Sequence, residues 1–193
     1  MNIARDFLRN YSTVTDQEWA AIESLFEPVV YQRNKMILEI GQVCRYFYLF
    51  EEGLLRFFYM VEGEDVTKTF TLAPYVFTSR ASFRKQEPSQ EGIQALERTV
   101  VRRIRFADYP LLEKHDCWRT FMRKIQYEIQ EFSDALLLET KTMTAEARYI
   151  KLLDDYPADL IQKIPLNYLA SFLGIAPQSL SRIRKKMHEQ RNS

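Results

Sequence analysis

The sequence predicts an α+β protein: an N-terminal antiparallel β-roll of the jelly-roll kind, one long helix, and a C-terminal helix-turn-helix. Three observations predict it. Between Val29 and Phe106, short runs of aromatic and β-branched residues recur about every ten residues, broken by turn signals. From Trp118 onward, apolar residues fall three and four apart with no Gly or Pro among them. Near the C-terminus, two short helical patterns flank a glycine, and the second of them is basic.

Composition narrows the class. The chain has 193 residues, 46% hydrophobic and 27% charged. A chain of that length buries roughly 70% of its unfolded surface and needs no covalent staple. The two cysteines, Cys44 and Cys117, are far apart and make no metal-ligand spacing. A disulfide framework and a Cys-based zinc or iron–sulfur site are thereby excluded. No signal-peptide pattern opens the chain, and no apolar run of about 18 residues occurs, so a soluble cytosolic protein with no membrane partner is expected. With 27 basic and 26 acidic residues the net charge is +1, which alone points to no polyanion. Its distribution is uneven. Residues 1–113 hold 14 basic and 16 acidic side chains, and residues 114–193 hold 13 and 10. Residues 176–193 carry Arg182, Arg184, Lys185, Lys186 and Arg191 against Glu189 alone. Such a run by itself reads as a solvated tail; the residues before it suggest another use.

Element by element, Thr15 precedes Glu18 by three residues, a capping-box signature, and Trp19, Ile22 and Phe26 follow at helical spacing. Strands are expected at Arg45–Phe50, Leu54–Val61, Val66–Leu72 and Thr99–Phe106, with turns at Glu51-Glu52-Gly53, Glu62-Gly63-Glu64-Asp65 and Ala73-Pro74. No helix-length pattern interrupts them. After Tyr109-Pro110 the texture becomes helical. The stripe Trp118, Phe121, Ile125, Ile129, Phe132 and Leu136 steps by 3, 4, 4, 3 and 4, which predicts a helix from Asp116 to about Lys141, roughly 39 Å long. That stripe either covers the chain's own sheet or pairs with another copy. Its length and narrowness favour a homodimer seam. A further helix is expected over Ala145–Tyr156, carrying Ala147, Ile150, Leu152 and Leu153, and stopped by Pro157.

Residues 164–186 read IPLNYLASFLGIAPQSLSRIRKK. Pro165 suits a first helical turn. Leu166, Leu169, Ala170 and Leu173 form one apolar face, and Gly174 stands where a helix end takes positive φ. Ile175 then plugs the angle, and Pro177 opens a second helix with Leu180, Ile183 and Met187 inward. Its outward residues are Gln178, Ser179, Ser181, Arg182, Lys185 and Lys186. Arg can bond guanine bidentately, Gln can bond adenine, Ser can bond base or phosphate, and Lys can pair with phosphate. A plain helical hairpin with a polar outer face is the bland reading. The joint occurrence of small Ala170, Gly174, the apolar linker and the basic helix favours double-stranded DNA.

In this order of parts, and in NYLASFLGIAPQSLSRIRKK above all, the chain resembles the Crp/Fnr superfamily of bacterial transcription regulators. Ser179 and Arg182 stand where that family has a Ser/Thr three residues before an Arg, with Gln178 where it often has Glu. Lys35–Gly41, Phe47–Phe50 and Gly53 are similar to the family's entry into the roll. The resemblance implies a cyclic-nucleotide-binding-like roll over residues 1–113, a dimerisation helix over 114–142 and a helix-turn-helix domain over 143–193. It also implies a homodimer on a palindromic operator.

Departures from the family pattern shape the rest of the expectation. Family members that bind cyclic AMP have Gly-Glu and Arg-Ser pairs in a phosphate cassette. The corresponding stretch, residues 75–97, has no Gly-Glu-Leu, and about where Arg-Ser would stand it has Gln90-Glu91-Gly92. A carboxylate there repels phosphate. Arg80 and Arg84 lie nearby and are the weak candidates for another anion, so the roll takes an unidentified small-molecule effector or none. No cysteine cluster precedes Cys44. His115 and His188 are the only histidines, both outside the roll, and His188 reads as a basic surface group. No metal, cofactor or catalytic residue is therefore expected. The many aromatics of the strands read mainly as core. The usual β wing after the reading helix has no room in Glu189–Ser193; it must precede the motif, around Leu160–Ile164, or be missing. No P-loop, nucleophile elbow or HExxH helix occurs, so an enzyme is not expected. The competing class is a ligand- or partner-binding sensor protein that does not read DNA.

Overall fold

The computed structural model describes residues 2–191, without the side chains of Ala158, His188, Gln190 and Arg191. His188, expected as a basic surface group, and the charge of Arg191 thus lie outside the described side chains. In chain order the elements are α1 (Ile3–Arg9), α2 (Asp16–Glu23), β1 (Glu27–Tyr31), β2 (Met36–Leu38), β3 (Tyr46–Glu52), β4 (Leu54–Val61), β5 (Glu64–Leu72), β6 (Tyr75–Phe77) and α3 (Arg80–Lys85). There follow β7 (Glu91–Ala95), β8 (Thr99–Arg105), α4 (Tyr109–Leu112), α5 (Asp116–Thr142), α6 (Ala145–Asp155), α7 (Ala158–Lys163), α8 (Leu166–Leu173) and α9 (Pro177–Arg191).

The strands make two antiparallel four-stranded sheets, ordered β1-β8-β3-β6 and β2-β7-β4-β5. Their inner faces pack together, with Phe57 edge-on to Phe77 at 6.1 Å between ring centres. Strand β3 lacks the alternation of a half-solvated strand: Phe47, Tyr48, Leu49 and Phe50 are all buried. Both its faces are covered, one by the opposite sheet and the other by helices, and a strand covered on both sides reads as a continuous apolar run. The helical cover is visible in ring contacts from Phe47 to Trp118 of α5 at 5.8 Å and from Phe7 of α1 to Phe121 at 5.5 Å. Helix α2 starts as its sequence dictates. Glu18 N–H donates to Thr15 Oγ1 at 3.2 Å, and Thr15 N–H donates to Glu18 Oε2 at 2.9 Å.

Several expectations are corrected. A helix does interrupt the strands: α3 lies between β6 and β7 and buries Ser82 and Phe83. Its six residues make fewer than two turns, too few to leave a period. The segment proposed for a wing, Leu160–Ile164, lies largely within helix α7. No strand follows α5 among the described residues. On α6 the buried residue is Tyr149, whereas Ile150 is 40% exposed. The largest correction concerns the apolar stripe. Trp118, Phe121 and Ile125 are 0% exposed in a single chain, so they have no surface left for a second copy. Ile129 packs on the same core, Phe132 is 47% exposed beside Leu152 and Tyr156, and Leu136 is half-buried. The stripe thus turns inward along most of its length. The large apolar side chains on the outside of α5 are Tyr127, Leu137 and Leu138, at 69%, 56% and 62% exposure.

Helices α6 to α9 share a second core around Leu169, Ala170, Leu173 and Leu180, all 0% exposed. Leu54 and Leu96 of the β region belong to that same core, and Phe70 and Leu72 pack on it. The C-terminal helices therefore rest on the sheet that contains β4 and β5.

Candidate nucleic-acid interface

Helices α8 and α9 are joined by a turn whose hydrogen bonds follow from its sequence. Gly174 takes φ 68° and ψ 33°, the left-handed conformation that a side chain disfavours. Its N–H donates to the Ser171 carbonyl at 3.0 Å, and the Ile175 N–H donates to the Ala170 carbonyl at 3.0 Å. That pair of bonds is a Schellman closure, which satisfies carbonyls left open at a helix end. Arg148 of α6 donates to the Leu173 carbonyl at 2.5 Å, placing a cation at the negative end of α8. Pro177 opens α9, where its missing N–H costs no intrahelical bond. Leu180 is fully buried, and Ile183 and Met187 pack on the same cluster.

The opposite face of α9 is open. Gln178, Ser181, Arg182, Lys185 and Lys186 are exposed, and Ser179 is half-buried. The basic run is not uniform, however. Arg184 donates to the Tyr149 hydroxyl at 3.0 Å and lies over that ring, and Lys186 pairs with Glu146 of α6 at 2.9 Å. Lys185 stands 3.9 Å from Glu189 one turn on, with both side chains mostly solvated, so that pair holds it weakly. Charge counting alone could not separate the fastening cations, Arg184 and Lys186, from Arg182 and Lys185. The separation depends on where α6 crosses α9.

A cavity of about 250 Å³ opens in the β region, lined by Tyr59, Ser79, Ala81, Ser82, Lys85, Glu87, Pro88, Gln90 and Glu91. Arg80 and Arg84 are exposed on α3 and do not line it. The lysine of its wall is Lys85, next in sequence to Arg84. Glu91 is buried, pairs with Lys68 at 2.8 Å, and accepts from the Tyr59 hydroxyl at 3.3 Å. Burial pulls the Lys68 ammonium down, but the hydrogen bond and charge of Glu91 outweigh it and raise it overall. Gly92 leaves room for the Phe58 ring, since a Cβ there would stand 2.4 Å from it. The lining thus sets the paired Glu91 beside the Tyr59 ring, with Lys85 and Glu87 as its other charged residues and no arginine among them. Among the described residues no group of His, Cys, Asp and Glu could hold a metal, and both cysteines are buried and free.

No protein-family model matches the sequence, and no curated protein is similar to it in sequence. Solved structures are similar in fold. A mutant of CooA from Carboxydothermus hydrogenoformans superposes with a TM-score of 0.70 at 14% identity, over 93% of this chain and 87% of that one. FixK2 from Bradyrhizobium japonicum gives 0.70 at 16% identity, over 86% and 85%. The catabolite activator protein of Thermus thermophilus gives 0.57 at 20% identity, over 95% and 87%. These neighbours are Crp/Fnr regulators, and among the described residues no helix is long and apolar enough to cross a membrane. Over most of its length the chain shares the fold of these structures, here two antiparallel sheets followed by a long helix and a helix-turn-helix.

Proposed function

We propose that this protein is a cytoplasmic, DNA-binding transcriptional regulator without enzymatic activity, acting as a homodimer on a palindromic operator. One observation carries the reading: α9 is held from behind by Leu180, Ile183 and Met187 while Gln178, Ser181, Arg182 and Lys185 face solvent. That residue set suits a major groove, with Ser179 at the edge of the contact and Lys186 shared with Glu146. We divide the work among residues 1–113 as sensor, 114–142 as dimer helix and 143–193 as reading head. The dimer seam is assigned to the exposed part of α5, where Tyr127 and Leu138 share one helix face three turns apart and Leu137 flanks it, because exposed apolar side chains on a long helix favour a second copy. Two reading heads related by a dyad then address half-sites one helical turn apart, ~34 Å. Cyclic AMP is not the expected effector, because the buried Glu91 stands about where the resemblance implies an Arg-Ser phosphate clamp.

Fluorescence anisotropy with duplex DNA at rising salt tests the reading. A regulator shows affinity that falls steeply and linearly on logarithmic axes. Salt-independent binding, or none at low salt, points to a sensor that does not read DNA.

A further inference from the structure

Three cations of α9 share one side of it: Arg182, Lys185 and Lys186 stand three and four residues apart. Arg182 and Lys185 face solvent. Lys186 is taken up within the chain, its Nζ donating to Glu146 Oε1 of α6 at 2.9 Å. Three residues on along the same face of α6, the Tyr149 hydroxyl accepts from Arg184 Nε at 3.0 Å, and the Arg184 guanidinium lies 5.6 Å from the centre of that ring. One side of α6 thus engages the second half of α9, and the first half, with Gln178, Ser181 and Arg182, is left open.

Glu146 is placed for this by its own helix. Thr144 caps α6, its Oγ1 accepting from the Ala147 N–H at 3.1 Å. Glu146 lies in the first turn, where the positive end of the helix favours a carboxylate whether or not Lys186 is beside it. The pair is partly solvated, with Lys186 58% and Glu146 37% exposed, so it adds little to stability. Its effect on a polyanion is larger. A phosphate takes Lys186 only by leaving Glu146 beside the duplex without its cation, so attraction and repulsion nearly cancel. A free lysine on that side of α9 would instead add affinity for every sequence alike. Arg182, one turn nearer the start of α9, makes no ion pair among the described residues.

We propose that Glu146 attenuates DNA affinity: by holding Lys186 it withholds one sequence-independent phosphate contact from α9. The proposal rests on α9 being the DNA contact. It assigns to α6 a part in binding although α6 reaches no base, and it shortens residence on any duplex without touching the side chains at the start of α9.

The test is fluorescence anisotropy with a labelled duplex pool of random sequence over a series of salt concentrations. Wild type is compared with Glu146→Gln, with Glu146→Gln/Lys186→Ala and with Asp108→Asn. The last removes the same charge just before α4, and α5, roughly 40 Å long, lies between it and Glu146 in the chain. Glu146→Gln should bind about fivefold more tightly at low salt, with the logarithmic salt slope steeper by about one unit. Adding Lys186→Ala should return both to the wild-type values, and Asp108→Asn should match wild type. If Glu146→Gln leaves affinity and slope unchanged or weakens binding, the pair is a prop for α9 and the proposal is refuted. A gain that survives Lys186→Ala, or that Asp108→Asn reproduces, refutes it equally. In each of those cases the DNA reading stands. If wild type and every variant leave duplex unbound, the DNA reading fails and the proposal with it. Should Glu146→Gln fail to fold by circular dichroism, Glu146→Asp decides in its place. It keeps a carboxylate in the first turn of α6 with a shorter reach to Lys186, and it too must tighten binding.

Discussion

The two halves of α5 carry apolar side chains at similar density and use them in opposite ways. In the first half, Trp118, Phe121 and Ile125 are sealed into the core beneath β3, α1 and α2. In the second half, Phe132, Leu137 and Leu138 stand wholly or partly in solvent. Periodicity identifies an apolar face; what covers it is decided by whatever the rest of the chain puts there. The first half has a sheet and two helices against it, whereas in the second Phe132 still borders β4 and β5 and Leu137 and Leu138 beyond it are open. Helix α9 adds a third case, an exposed face that is polar and basic because its partner is proposed to be a polyanion.

The comparison breaks most visibly in the first half. Trp118→Ala should cost ~3–5 kcal/mol of stability by urea denaturation. Ile125→Asp should abolish folding, since an unpaired carboxylate would be buried among apolar groups. A folded, monomeric Ile125→Asp protein would return that residue to a dimer seam. In the second half, Leu137→Asp/Leu138→Asp should leave circular dichroism and the unfolding midpoint nearly unchanged while light scattering reports the mass of one chain. A dimer that survives this change places the seam elsewhere.

On α9 the effects are smaller and leave both stability and assembly alone. Arg182→Ala should weaken the preferred site by about 1–3 kcal/mol and relax one base position. Lys185→Ala should weaken all duplexes alike and lower the salt slope by about one unit. Equal losses on every sequence for both variants would make Arg182 a phosphate contact. The smallest expected signal belongs to the cavity beside Glu91. Calorimetry with millimolar cyclic AMP should give no saturable heat, and a micromolar dissociation constant would mean that Lys85 or Lys68 serves as the phosphate clamp.

The order of roll, long helix and helix-turn-helix was legible because each part has its own local grammar. The strands at Leu54–Val61 and Thr99–Arg105 carry β-branched and aromatic runs, α2 its capping box, and the α8–α9 turn its Gly174 between two apolar faces. These are interactions between residues close in sequence, so the sequence by itself determined them. The shorter elements escaped for a physical reason. Strands β1, β2, β6 and β7 and helices α1, α3, α4 and α7 are three to seven residues long, and neighbours hold them in place more than their own propensity does. The tertiary structure alone decided what faces what. It turned Trp118, Phe121 and Ile125 inward and set Arg184 and Lys186 against α6. It kept Arg80 and Arg84 out of the cavity and brought Arg56 under Tyr168, 112 positions away. Helical and strand periods specify direction around an axis, whereas burial depends on surfaces contributed by distant segments.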